Sequence, residues 1–296
     1  MRARHGGEGA GLAAMAGCAL LWSIAGIFIK LVDWNLFAIA CGRSLIATIF
    51  IFACLKGRPR LTYSPVQIGA ALASAATMLL FVYANKATSP ANAILLQYGA
   101  PVYTALIGLV VLKERPRAEQ WVALAAVLGG MVLFFMGDLG GGHLVGDLVA
   151  VASGVTFAIY FVLMRAQKEG SPLESAFLAH AMTTIVAFAV ALFLPAPRIE
   201  GRAVAAMLAL GLLQIGLATV LFSYGIKRVA AIQGVIVAGI EPVMSPVWVF
   251  LATGEAPKAN ALAGGSVIVA AVLASSVVTA RRDAARERRA AASIQP

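Results

Sequence analysis

Charge is scarce in this chain. Only 12% of its 296 residues are Asp, Glu, Lys or Arg, against 61% hydrophobic, and mean hydropathy is +0.89. Soluble domains carry roughly a quarter charged residues, so a soluble globular fold is excluded and the chain reads as an integral membrane protein. Cysteine is rare too: Cys18, Cys41 and Cys54 fall inside apolar runs without ligand spacing, which argues against disulfides and metal binding. The three histidines are scattered, and neither H-E-x-x-H nor G-x-x-x-x-G-K-[ST] occurs. A zinc hydrolase and an ATP-driven pump are therefore not expected, and no cofactor is. Gly140 to Gly142 lie in a loop that lacks the strand-to-helix setting of a phosphate cradle. The net charge of +10 would suit nucleic acid, but the basic residues stand singly or in small groups between apolar runs. That spacing is a topology signal and excludes a nucleic-acid face.

What the chain has is apolar runs of spanning length. Ten are found, roughly 11–29, 36–55, 66–85, 91–112, 118–136, 146–164, 174–194, 204–224, 231–251 and 259–279. None alternates polar and apolar residues as a barrel strand must, so the expected fold class is all-α integral membrane. The first run is long enough to span and is expected to remain attached. With the N-terminus placed inside, the inner loops and tail carry 17 Lys and Arg and the outer loops 5. This split predicts an inner-membrane, multi-pass protein with both termini cytoplasmic.

The chain also repeats itself. A shift of 141 positions pairs Phe81 with Phe222, Tyr83 with Tyr224, Lys86 with Lys227, Asn92 with Gln233, Pro101 with Pro242, Glu114 with Glu255 and Pro116 with Pro257. Trp22 with Phe157, Lys30 with Arg165, and more loosely Arg43 with His180, extend the match to earlier helices. Five helices per half reverse the orientation of the second, predicting inverted repeats around a central cavity. The expected organisation is 1–138, 139–280 and a basic cytoplasmic tail, 281–296. Ala125 and Gly129 in the fifth run match Ser266 and Ala270 in the tenth. Such small residues suit either a tight helix pair or a homodimer face, so monomer and homodimer both stay open.

Glu241 is the first candidate functional residue, because a carboxylate at mid-span costs about 2.5 kcal/mol or more and marks a function by default. Its repeat partner is Ala100. Glu241 reads as a proton-coupling group, a ligand for a substrate ammonium, or a structural partner of Arg43. Arg43 lies about 10 Å from one surface, by helical rise. It would anchor a carboxylate or snorkel to headgroups. His180 is of the type that titrates near neutrality, or else it bonds a neighbouring backbone group. Trp22, Gln97, Tyr98, Tyr103 and Tyr160 lie near span centres, where a polar tip wants a cavity or a partner. Pro101, Pro242 and Pro246 remove backbone bonds inside spans and are candidate hinges. Tyr83 and Tyr224 read as interfacial anchors. Glu114 and Glu255 read as caps of the helices that follow them.

The stretch Ala91-Asn92-Ala93-Ile94-Leu95-Leu96-Gln97-Tyr98-Gly99-Ala100-Pro101-Val102, then Leu112-Lys113-Glu114-Arg115-Pro116, resembles the EamA-type drug/metabolite transporters. The second half echoes it at Gly239-Ile240-Glu241-Pro242-Val243 and Gly254-Glu255-Ala256-Pro257. The resemblance implies a basket-like ten-helix bundle that moves small metabolites such as amino acids by alternating access, often outward. The expected partners are a small-molecule substrate and the lipid bilayer. A multidrug or cation exporter is the alternative, with a membrane enzyme or passive conduit behind it.

Overall fold

The computed structural model describes residues 7–88, 90–136, 144–168, 170–254 and 258–292. Gly140 to Gly142, Glu255 and Pro257 lie outside the described residues. Ten helical segments are long and apolar enough to cross a membrane, and no strand occurs among the described residues. The chain is an all-helical, ten-span membrane protein.

Five spans are single helices: α3 (Leu36–Cys54), α4 (Pro65–Ala87), α7 (Ala118–Phe135), α8 (Leu144–Ala166) and α9 (Pro172–Ala191). The tenth, α14 (Ala259–Ala292), is also unbroken and continues beyond its apolar span, which ends at Arg282. The basic tail expected to begin at residue 281 is thus, as far as Ala292, a continuation of the last spanning helix. Three spans are broken in two. The first consists of α1 (Glu8–Ser23) and α2 (Ala25–Lys30), the fourth of α5 (Pro90–Gln97) and α6 (Ala100–Val111), and the ninth of α12 (Ala231–Ala238) and α13 (Ile240–Thr253). The eighth is α10 (Gly201–Ala209) and α11 (Ala218–Ile226), joined by a π-helical stretch, Leu210–Leu217.

The breaks in the fourth and ninth spans have one cause. Pro101 and Pro242 carry no N–H, so the carbonyls four residues earlier, Gln97 and Ala238, lose their helical donors. The chain turns at Tyr98-Gly99 and at Gly239, positions related by the same 141-residue shift. The first span breaks at Ile24 without proline. There the Ser23 hydroxyl donates to the Leu20 carbonyl at 2.6 Å, which competes with the backbone ladder.

Spans pack in exchanged pairs. The third lies on the sixth as the first lies on the eighth, and the fourth lies on the sixth as the ninth lies on the first. The second contacts the seventh and the fifth contacts the tenth. At the last of these crossings Gly130 meets Gly264: a Cβ on Gly264 would run into the Gly130 carbonyl and the Phe134 backbone. The small residues expected there, Ala125, Gly129, Ser266 and Ala270, are instead exposed. The helix pair exists, but it forms on a neighbouring face.

An aromatic cluster fills the bundle between the first, sixth and eighth spans. Trp22 lies 6.3 Å from Phe157, its repeat equivalent, and 5.8 Å from Phe222. Tyr160 stacks on Phe222 at 5.5 Å with planes 12° apart. At one membrane edge Glu114 joins four spans: it accepts from Arg165 Nε at 2.8 Å and from the Ala231 amide at 3.1 Å, while Arg165 Nη1 donates to the Ile226 carbonyl at 3.0 Å. Glu114 therefore caps α12, not the helix that follows it. The start of α7 is closed instead by the Gln120 side chain, which accepts from the Arg117 amide at 2.9 Å.

Candidate functional site

Glu241 occupies the first turn of α13, immediately after the break at Gly239. A carboxylate there faces the positive end of the half-helix dipole, which favours it. Its Oε2 accepts a 2.9 Å hydrogen bond from the Tyr98 hydroxyl, and Tyr98 stands in the break of the fourth span. The two helix breaks are thus stapled through one phenol–carboxylate contact. In the first half Ala100 takes the place of the acid, so the staple is one-sided.

Seven residues along α13, on the same helical face, Trp248 Nε1 donates to Ser23 Oγ at 2.8 Å. Ser23 borders the break of the first span. The α13 half-helix therefore touches the breaks of two other spans with a single stripe. Residues 241 to 248 are all half-buried, whereas α12 is buried throughout. Pro242 and Pro246 belong to the half-buried segment, and Pro101 is buried.

Arg43 lies within electrostatic reach of both Glu241 and His180. Among the described residues no ion pair joins it to Glu241. Its Nη2 approaches Met78 Sδ at 3.6 Å, a weak acceptor, and its buried Nε has no partner among the described residues. Such a guanidinium keeps donors to spare, since sulfur satisfies them poorly. The ring of His180 shares a hydrogen bond with the Thr219 hydroxyl at 3.1 Å, just beyond the π-helical stretch, not with backbone.

The remaining candidates divide. Gln97 donates to Ser153 Oγ at 2.9 Å, and Ser153 donates to the Thr77 carbonyl at 3.1 Å, a relay that ties the broken fourth span to the sixth and third. Gly154 makes this approach possible: a Cβ there would stand 2.7 Å from the Gln97 carbonyl. Tyr103 packs beside Gly99. Trp22 and Tyr160 belong to the aromatic cluster, Tyr160 as a buried member. Glu241 and Tyr98 thus form a hydrogen-bonded pair with Arg43 within electrostatic reach, while Gln97 bonds to Ser153 and Tyr160 packs on Phe222. Trp248, Ser23 and Met78 join the site without being candidates by sequence. Of the three, Trp248 carries a signal, its spacing of seven from Glu241. No group of three or more metal-ligating side chains occurs among the described residues.

Ten spans, three of them interrupted and two of the interruptions joined at a half-buried acid, define a polytopic membrane protein with polar groups gathered at helix breaks. The model of the EamA-like transporter family matches the chain twice, over residues 9–136 and 144–277. The chain belongs to that family and is a transporter, and each half of it matches the same family model. An uncharacterized transporter of Archaeoglobus fulgidus is 31% identical over 266 residues, 88% of this chain and 94% of its own length. Human solute carrier family 35 member G1 is 29% identical over 168 residues, 50% of this chain and 45% of that protein. The Bacillus subtilis transporter YwfM, also uncharacterized, is 28% identical over 189 residues, 60% of this chain and 62% of its own. A solved crystal structure superposes with a TM-score of 0.80 at 23% identity, covering 92% of this chain and 98% of that one. That likeness speaks for the fold alone.

Proposed function

We propose that the chain is a secondary transporter exporting amino acids or similar small metabolites by alternating access, with Glu241 exchanging a proton or a substrate ammonium. The observation that carries this reading is the Tyr98–Glu241 hydrogen bond between the two helix breaks. A bond at that place can be traded: a proton on Glu241, or an ammonium beside it, competes directly with the Tyr98 hydroxyl. Losing the staple frees two half-helices that already lack backbone bonds, and discontinuous helices at repeat interfaces are where secondary transporters bind cargo and move. The unused Nε of Arg43 offers the matching donor for a carboxylate. A zwitterion would then bridge Arg43 and Glu241, with Trp22 and Trp248 near its apolar part. Pro101, Pro242 and Pro246 serve as hinges in this scheme. The halves are inverted about an axis in the membrane plane, both termini are cytoplasmic, and the membrane is the inner one.

A second reading, export of cationic compounds, draws on the same acid: no basic side chain pairs with Glu241 among the described residues. Flux of a metabolite library through protein reconstituted in liposomes, with and without a proton gradient, separates the two. Saturable movement of amino acids accelerated by the gradient supports the first reading. Movement of cationic dyes without amino acids supports the second, and conversion of a candidate lipid without transport removes both.

A further inference from the structure

We propose that a cavity at the membrane edge between the start of α9 and the end of α11 holds the phosphate headgroup of an anionic phospholipid. The cavity measures about 320 Å³ and lies between Ser171, Pro172 and Leu173 on one side and Val220, Ser223 and Tyr224 on the other, with Lys227 and Arg228 at its lip. Val220, Ser223, Tyr224 and Lys227 follow i, i+3, i+4, i+7 and form one face of α11 and its C-cap. Its chemistry is graded along that face, apolar at Val220, hydroxyl at Ser223 and cationic at Lys227.

Three observations point to an anion. First, among the described residues no carboxylate pairs with the cations at the lip. Arg165 and Arg282 have carboxylate partners, Glu114 at 2.8 Å and Glu119 at 2.6 Å. Lys227 instead donates to the Gly170 carbonyl at 2.9 Å, and Arg228 to the Tyr224 carbonyl at 2.8 Å. Carbonyls orient these groups without cancelling their charge. Arg228 is held further by its own neighbour, lying 3.4 Å over the Tyr224 ring. Second, the Ser223 hydroxyl is buried in the wall of the cavity with no hydrogen-bond partner among the described residues, in a residue 5% exposed. A buried hydroxyl without a partner is costly, and an oxygen-rich ligand would satisfy it. Third, the start of α9 faces the same space. Ser171 provides no side-chain cap and Pro172 has no N–H, so the first free donors are the amides of Leu173 and Glu174. The Glu174 carboxylate is engaged elsewhere, accepting from the Arg60 amide at 2.8 Å.

The apolar floor selects a lipid over free phosphate. Leu173, Val220 and the Tyr224 ring flank the hydroxyl and continue into the spanning part of both helices, where a glycerol and acyl stem would lie. Tyr224 is itself 43% exposed. Basic residues at a membrane edge attract anionic lipid electrostatically. The leaflet occupied follows the orientation of the chain, but the site does not depend on it.

Delipidated protein in detergent, titrated separately with phosphatidylglycerol, phosphatidylcholine and sodium phosphate, tests the site by native mass spectrometry and melting temperature. Phosphatidylglycerol should be retained and should raise the melting temperature, while phosphatidylcholine and phosphate should do neither. The double variant Lys227→Gln/Arg228→Gln should lose phosphatidylglycerol affinity on the order of tenfold or more, as expected for two basic groups. Lys56→Gln/Arg58→Gln, which removes as much charge from another exposed loop, should not. Ser223→Ala, a small change inside the wall, should weaken retention by a lesser factor and covers the case in which the double variant does not fold. Equal retention of the two lipids by wild type overturns the proposal. So does phosphatidylglycerol affinity unchanged in both the double variant and Ser223→Ala. Phosphate that binds alone and displaces the lipid would make this a free-anion site instead.

Discussion

The hydroxyl of Tyr98 and the carboxylate of Glu241, 143 residues apart in sequence, meet at 2.9 Å where two spanning helices are interrupted. A hydrogen bond to a charged group contributes about 1.5–3 kcal/mol. In Glu241→Gln the shape and an acceptor oxygen survive but titration does not. Gradient-driven flux should therefore collapse while counterflow exchange persists. If Glu241 binds the ammonium of the cargo, both should fall. Flux unchanged in both assays together with a lowered melting temperature would make the acid purely structural. Tyr98→Phe removes the donor alone, and its effect should be largely absent in a Glu241→Ala background, where no acceptor is left for the hydroxyl, since groups in direct contact are not additive.

The close approach of the sixth span to the broken fourth rests on a missing side chain. Gly154→Ala would bring a Cβ to 2.7 Å from the Gln97 carbonyl, and backbone at a helix break cannot step aside as a flexible side chain does. Overpacking of this kind costs about 1–3 kcal/mol. Gly129→Ala meets nothing within 4 Å and lies in a helix interior, so it should be neutral or stabilising by up to about 1 kcal/mol. Melting temperatures of the two variants should move in opposite directions or differ clearly in size. Equal losses would mean that the fourth and sixth spans are not packed this way.

Pro101 and Pro242 announce two of the breaks in the sequence itself, because a missing N–H acts locally wherever the residue stands. The break at Ile24 and the π-helical stretch leave no such mark. Ser23 is a small polar residue among many, and its partner Trp248 lies 225 positions away. The π-helical stretch fits Gly211 and Gly216 against Ile46 and Phe50 of the second span, a fit between distant segments that periodicity does not encode. The same distinction runs through the candidate site. Glu241 is conspicuous by the cost of its burial, whereas its partner Tyr98 is one of several mid-span aromatics and nothing local joins the two. Glu114 has the sequence setting of a cap for the next helix along the chain, and in space it caps α12 instead.

The proposed orientation rests on the 17-to-5 split of basic residues between alternate loops. A reporter fused after Pro296 should behave as cytoplasmic, and one inserted between Pro197 and Arg198 should behave as external. A periplasmic C-terminus would reverse the orientation and, with it, the leaflet that the lipid site faces.

Arg165 holds two partners at once, Glu114 through Nε and the Ile226 carbonyl through Nη1. Its side chain is 12% exposed and that of Glu114 is 25%, so solvent screens the pair only in part. Glu114→Ala would leave the guanidinium without its carboxylate and the Ala231 amide without its acceptor. The cost should be about 2–3 kcal/mol, near the lower bound for a buried pair because of that exposure. Arg165→Lys keeps the charge but not the fork, and a lysine ammonium at the end of a flexible stem cannot reproduce two divergent donors fixed in one plane. It should therefore recover only part of the stability lost in Arg165→Ala, read as melting temperature in detergent. Full recovery by lysine would show that only charge matters at this edge, and that the bond to Ile226 adds nothing to the joining of the four spans.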